Sequence, residues 1–521
     1  MRRLFILFVF IISLLAVFLV IKGQKGTPLY FQTEKDISDG GPFELSNGTS
    51  RYALTEVIVE DGTFFLNDTL AKFASPDIVE YRGKFLSIFT PGVSFVGVPF
   101  YLLGEHFGMP QVFAYFSVTI FLILNLFLVA RLAYKLGASF YASITCGLVF
   151  AFATNALAYS LNYTQHTLST TVILLGILNA IGKRTFLNNV LFGFLAGIGA
   201  LLDVPNLILF LPAGIYILSK HFDFKGSIDK FGIFVSIKII GLLIGFMPLI
   251  AVFGWYNQKT TGSYFKLAQI IGRSGYFKDS LPARNMLESA ASELKSKDNP
   301  AFNLPFNTRA QLTGFYILLL SNERSWLFYS PILLVGIYGF WLVYKKLEKQ
   351  AILTVVIGTL ALNIVVYSMF GDPWGGWAFG PRYLIPGAAL MASALGVAMD
   401  RFRKHLIFLS VFIVLLVYST VISLVGALTS SAIPPKIEAV YLNLSIPHTF
   451  IYNFQLLSKN FSSSLTYNLF FADRFSAGSY LAILVVLIAV MFMAAYFALL
   501  INDGKAGKGL INFFSKNKIN D

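Results

Sequence analysis

The sequence predicts an all-α polytopic membrane protein of about twelve transmembrane helices, with interfacial helices in a large first outer loop. Three observations carry that expectation. Of the 521 residues, 56% are hydrophobic and only 13% are charged, against about 25% charged in a soluble domain; the mean hydropathy is +0.70. Apolar runs of roughly 20 residues recur along the chain, each long enough to cross a hydrocarbon core of about 30 Å. Backbone groups in lipid must pair within their own segment, so such runs read as helices, whereas a barrel would show short alternating stretches. Finally, Lys and Arg gather beside the apolar runs, so the net charge of +14 reads as cytoplasmic anchoring and not as a nucleic-acid surface.

Taken in order, the first run, 4–21, has the look of a signal peptide, but the following Ile21-Lys22-Gly23-Gln24 offers no small-x-small cleavage site, and the run is read as an uncleaved span. Arg2 and Arg3 place the N-terminus inside. The run 85–103 is apolar but broken by Pro91, Gly92 and Pro99. Counted as a span it would reverse every later loop, so it is expected to be an interfacial or re-entrant helix on the outer surface. Spans are then expected at 111–131, 139–160, 166–182, 187–203, 205–219, 232–254, 327–344, 350–369, 383–399, 406–428 and 478–501. This alternation puts Arg131/Lys135, Lys183/Arg184, Lys220–Lys230, Lys345/Lys346, Arg401/Arg403/Lys404 and the tail Lys505–Lys518 on one side, the cytoplasm, with both termini inside. The larger outer loops are 22–110, 257–311 and 429–477, and the chain divides into a membrane module, 1–428, and a C-terminal part, 429–521. The single Cys146 excludes a disulfide framework and a multi-cysteine metal site.

Residues suited to chemistry concentrate outside. In the first loop Asp36, Asp39, Glu56, Glu60, Asp61, Asp68, Asp77 and Glu80 stand among Arg51, Arg82 and Lys84. A carboxylate held above the bilayer suits a general base; the same acids also suit a solvated loop. Segment 50–60 places Tyr52, Leu54, Val57 and Ile58 near one face of a helix expected to lie on the membrane. The turn 370–386, FGDPWGGWAFGPRYLIP, gathers Asp372, Trp374, Trp377 and Arg382 among glycines and prolines. Glycine lets backbone approach a ligand, and Arg382 suits bidentate phosphate binding; a snorkelling arginine is the plain alternative. His166 and Asp203 stand near outer helix ends, where charge at membrane depth is costly unless used. Glu323 and Arg324 are expected to pair with one another. No Gly-rich phosphate loop, zinc spacing or Ser-His-Asp pattern is present.

Five segments, SRYALTEVIVEDGTFFLND, RGKFLSIFTPGVSFVGVPFYLLG, GFLAGIGALLDVPN, ERSWLFYSPILL and GWAFGPRYLIP, occur in that order. Their content and order resemble the bacterial and archaeal membrane glycosyltransferases of the GT-C class, which includes the protein O-mannosyltransferases and the lipid A aminoarabinose transferases. The resemblance covers most of residues 1–400. It implies a polyprenyl-phosphate-linked sugar as donor, an acceptor glycan, lipid or protein at the outer face of a prokaryotic inner (plasma) membrane, and an aspartate of the first loop as base. Relatives often carry an Asp-Glu pair before the tyrosine of the first interfacial helix; here that stretch reads Gly48-Thr49-Ser50-Arg51-Tyr52. Either another aspartate serves, Asp39 or Asp77 ahead of Asp36, or the chain is inactive. A lysine often found before the Pro-Gly of the second segment is replaced by Thr90, so Lys84 or Arg82 would help hold phosphate.

The expectation is therefore an inverting glycosyltransferase. Asp39 or Asp77 would be catalytic, and Arg382, Lys84, His166, Asp372, Trp374, Trp377 and Arg51 would bind the donor's phosphate or sugar. A divalent metal could share the phosphate charge, though no residue pattern demands one. A transporter or flippase would instead predict ionisable residues in mid-span and matched broken helices; Lys238 alone lies inside a span and can snorkel. The third reading is an inactive relative that binds lipid-linked sugar.

Overall fold

The computed structural model describes residues 2–22, 43–183, 185–227, 230–274 and 308–516. Its helices follow the apolar runs: α1 (Arg2–Val20), α2 (Ser46–Glu60), α3 (Asp68–Ala74), α4 (Gly92–His106), α5 (Pro110–Leu136), α6 (Phe140–Phe152), α7 (Ala156–Ser160), α8 (His166–Ala180), α9 (Phe186–Leu202), α10 (Asn206–Ser219) and α11 (Ile240–Thr261). Beyond residue 333 come α12 (Leu334–Tyr344), α13 (Gln350–Ser368), α14 (Ile385–Phe402), α15 (Leu406–Leu428) and α16 (Ala477–Lys516). Seven helical stretches among the described residues are long and apolar enough to cross a membrane, and five shorter apolar helices accompany them.

Burial sorts these helices by position. The segment Arg382–Phe402 is 89% buried, and α14 packs against α5, α6, α8, α12 and α13. Its small residues, such as Ala388, Ala389, Ala392 and Gly396, let neighbours close in. By contrast Ile237–Thr261 is only 17% buried and turns Leu243, Ile244 and Met247 outward, as a lipid-facing helix must. α9 and α11 pack without intervening side chains. A Cβ on Gly193 would fall 2.0 Å from the Leu242 carbonyl oxygen, and one on Gly245 would fall 1.9 Å from that of Val190.

Several expectations are corrected. Two small antiparallel hairpins interrupt the all-α pattern: β1 (Ile78–Tyr81) with β2 (Lys84–Ser87), and β3 (Phe222–Ser227) with β4 (Lys230–Val235). The second takes up the start of the expected span 232–254, and helix begins only after it. The run 139–160 breaks between α6 and α7. Helix α2 does not lie on a surface. Tyr52, Leu54 and Val57 are buried, but so are Thr49, Ser50, Arg51 and Thr55 on its other side, because α3, α4 and β2 pack around it.

Buried polar bonds fix the chain just ahead of α2. The Lys22 ammonium donates to Glu44 Oε1 at 2.9 Å with both side chains fully buried. Glu44 also accepts from Ser430 Oγ (2.7 Å) and the Ser431 amide (2.6 Å). The segment after residue 428 is thus bonded into the membrane module.

Candidate active site

Three arms converge at one end of the helix bundle. The first is α2, which presents Arg51. This side chain is 2% exposed, donates from Nη1 to the Asn47 carbonyl at 2.8 Å and lies with its guanidinium carbon 3.9 Å from the Phe89 ring centroid. Its Nε has no hydrogen-bond partner among the described residues. Burial lowers the Arg51 pKa to about 10, with Asp203 and Asp77 opposing and Arg382 adding to the shift. It therefore stays charged at neutral pH, near an anionic and a cationic neighbour at once.

The second arm is the turn between α13 and α14. Here Gly375 has φ +74°, and a Cβ there would stand 2.7 Å from Arg382 Nε; the glycine both permits the left-handed backbone and leaves room for the arginine. Arg382 lies over Tyr383, 5.3 Å from its ring centroid, and Tyr383 stacks on Tyr367 at 4.7 Å. Arg382 Nε also lacks a partner among the described residues, and Asp372 lies within its electrostatic reach. A buried frame holds the turn. Arg324 donates from Nε to the Trp374 carbonyl (3.1 Å), from Nη1 to the Glu323 carbonyl (2.8 Å) and from Nη2 to the Ile433 carbonyl (2.7 Å).

The third arm joins the starts and ends of α8 and α9. Gln165 Nε2 donates to Asp203 Oδ2 at 3.0 Å. The His166 ring stands edge-on to Tyr159 (5.4 Å) and Tyr383 (6.1 Å), and its Nε2 has no partner among the described residues. The charges of Arg51 and Arg382 both reach His166 and Asp203. Asp203 and Arg382 are partly exposed while Arg51 and His166 are buried, so the cluster has a mouth and a floor. Two guanidiniums, an imidazole, an amide and a carboxylate in this arrangement can grip an oxyanion and accept a proton beside it.

The expected site residues therefore divide. Arg51, His166, Asp372 and Arg382 come together. Asp39 lies outside the described residues. Asp77 is buried, with Oδ2 accepting from Ser46 Oγ at 2.6 Å; its Oδ1 lies 2.7 Å from Arg273 Nη2 as an ion pair but has no hydrogen-bond partner among the described residues. Lys84 is exposed on the hairpin, its ammonium 4.0 Å from the Phe65 ring centroid. The two tryptophans spend their indole N–H groups on the frame: Trp374 donates to Glu323 Oε2 (3.0 Å) and Trp377 to Glu438 Oε2 (2.7 Å). The expected Glu323–Arg324 side-chain pair is replaced by these bonds, because Glu323 Oε2 also accepts from the Lys436 amide at 2.8 Å. Among the described residues no three His, Cys, Asp or Glu side chains gather as metal ligands.

No protein-family model and no curated protein matches the sequence. The chain is similar to two solved structures of ArnT from Cupriavidus metallidurans. The first, in the apo state, has 12% identity and a TM-score of 0.42 over 96% of this chain and 76% of that one. The second, bound to undecaprenyl phosphate, has 11% identity and a TM-score of 0.42 over 95% of this chain and 76% of that one.

Sequence reasoning passed over three participants. Gln165 and Tyr383 adjoin His166 and Arg382, and adjacency to a named residue was the available signal. Glu44 stood unremarked because no local pattern ties it to Lys22 or to Ser430.

Proposed function

We propose that this chain is a membrane glycosyltransferase. It moves a sugar from a polyprenyl-phosphate carrier to an acceptor hydroxyl at the outer face of a plasma membrane crossed by about twelve helices, with both termini inside. The observation that carries this reading is the pairing of Arg51 with Arg382. Two cations within reach of each other in a buried site are costly unless an anion joins them, and each keeps an Nε without a partner among the described residues. A guanidinium fork matches phosphate oxygens. In the reaction the acceptor oxygen attacks the anomeric carbon, the bond from that carbon to the phosphate oxygen breaks, and the bonding pair leaves with the phosphate. Arg51 and Arg382 hold the charge so formed, the kind of contribution that is usually the largest. The acceptor's proton passes to a carboxylate. Asp203 suits that role best, being partly exposed beside both arginines; Asp77 and Asp39 of the first loop are the alternatives.

The test is sugar release from a radiolabelled polyprenyl-phosphate donor by the purified protein. Arg382→Ala and Gly375→Ala should each lower turnover, the former by about 10²–10³-fold, while the protein stays folded in detergent. Asp203→Asn should abolish release and Asp77→Asn should not; the reverse result would give the base to Asp77. Near-normal turnover of Arg382→Ala would overturn the phosphate assignment. Donor binding without release by the unaltered chain would favour the inactive binder, a reading motivated by Gly48 and Thr49, and absence of both would favour a transporter.

A further inference from the structure

Between α15 and α16, apart from the residues above, runs a half-open groove of about 330 Å³. Leu416, Ile488 and Phe492 form a buried floor, while Ile413, Met493 and Phe497 form an exposed rim. The walls extend from Phe408 to Thr420 on α15 and from Val485 to Phe497 on α16. At the helical rise each is about 18 Å long, close to half of a hydrocarbon core about 30 Å thick. The groove is thus one leaflet deep.

Its two ends differ in chemistry. At one end Arg403 lines the groove, with Arg401 and Lys404 exposed beside it. Arg403 is fixed in place. Its Nη1 lies 3.6 Å from Asp400 Oδ1, its carbonyl accepts from the Tyr496 hydroxyl at 2.9 Å, and Asp400 is itself held by Ser139 through its amide and Oγ (2.5 and 2.6 Å). The α15 wall ends away from Arg403 at Thr420. A cation at the mouth of an apolar slot one leaflet deep calls for an anionic head on a chain of that length. An acyl chain ends where the groove ends, whereas a polyprenyl chain, several times longer, would leave most of itself outside.

We propose that this groove seats one acyl chain of an anionic phospholipid, with Arg403 holding the phosphate, in the leaflet that faces the basic loops. The proposal stands independently of the transferase reading. Native mass spectrometry of the full-length protein in detergent tests it, by titration with phosphatidylglycerol and with phosphatidylcholine of the same chains. Phosphatidylglycerol should be retained preferentially. Arg403→Ala should weaken its retention about fivefold, the effect of one interfacial cation, and leave phosphatidylcholine unchanged. Ala489→Phe, which adds bulk to the groove at a partly exposed position, should weaken both. A thermal unfolding trace confirms that each variant is folded, and Arg403→Ala decides alone if Ala489→Phe is not. Equal retention of phosphatidylglycerol by wild type and Arg403→Ala, or its displacement by equimolar polyprenyl phosphate, would overturn the proposal.

Discussion

At the scale of single residues, the candidate site is set by charges that the protein does not neutralise pair by pair. Arg51, Arg382 and Asp203 share one field, while Asp77 is bound to Arg273 and Ser46 and so contributes less to it. A second group of charges lies farther along α2. Burial raises the Glu56 pKa to about 7, helped by Glu60 and Asp61 and opposed by a Tyr52 hydrogen bond; the Tyr101 hydroxyl meanwhile donates to Glu60 at 2.9 Å. The folded chain therefore holds a proton on Glu56 that the unfolded chain releases above its ordinary value of 4.5. Its contribution is neutral below that pH and becomes destabilising as pH rises towards 7, where the folded group finally ionises. Glu56→Gln should accordingly stabilise the protein by about 1–2 kcal/mol near pH 8, after allowance for partial solvent access, and by nothing below about pH 4.5. Thermal unfolding in detergent at the two pH values checks this; an equal effect at both would refute it. Arg382 was legible in the sequence because a turn crowded with Gly, Pro and Trp is more than an interfacial loop needs. The engagement of Asp77 was not legible, since Arg273 and Ser46 lie far from it along the chain.

At the scale of elements, backbone closeness places the site. Asp203 caps α9, and α9 is held by its crossing with α11, where Gly193 and Gly197 receive the segment from Leu242 to Leu249, and Gly241 and Gly245 receive the segment from Phe186 to Phe194, each pair at four-residue spacing. Small residues at that spacing let two membrane helices meet backbone to backbone. Helix α4 docks on the same element: a Cβ on Gly92 would fall 2.4 Å from the Leu201 carbonyl oxygen, and Thr90 Oγ1 donates to the Leu202 carbonyl at 2.9 Å. Gly245→Val should therefore force α11 off α9 at a cost of about 1–3 kcal/mol or more and, by displacing Asp203, reduce turnover further than stability alone would. Gly214→Ala is the control, since its nearest neighbour would be Phe192 at 3.8 Å. Comparable effects of the two substitutions on melting temperature would contradict this account of the crossing. The spacing is visible in both segments of the sequence. It announces a close approach without naming the partner, which is why helix existence was legible and helix pairing was not.

At the scale of the whole molecule, everything turns on whether α4 crosses the membrane. Hydropathy alone would let it, and then every basic loop after residue 110 would face outward against the positive-inside rule. Helix α4 is built and packed in a way that fits the reading in which it does not cross. It contains Pro99, and β2 immediately before it forms a hairpin with β1. Gly97 leaves room for the Tyr163 hydroxyl, 1.6 Å from where a Cβ would be, so α4 is keyed to the segment just ahead of α8 rather than set among the outer spans. Cysteine labelling separates the two topologies cleanly, because the native Cys146 is fully buried and should not react with a membrane-impermeant maleimide. Arg82→Cys and Met109→Cys flank α4 at exposed positions, and both should label from the outside of intact cells. Lys135→Cys and Lys345→Cys, also exposed, should label only after permeabilisation. Labelling of positions 82 and 109 from opposite sides would add a span, turn the later basic loops outward and set Arg51, which precedes α4, on the other side of the membrane from Arg382, so that the two arginines could not share one phosphate and the proposed transfer reaction would no longer be tenable.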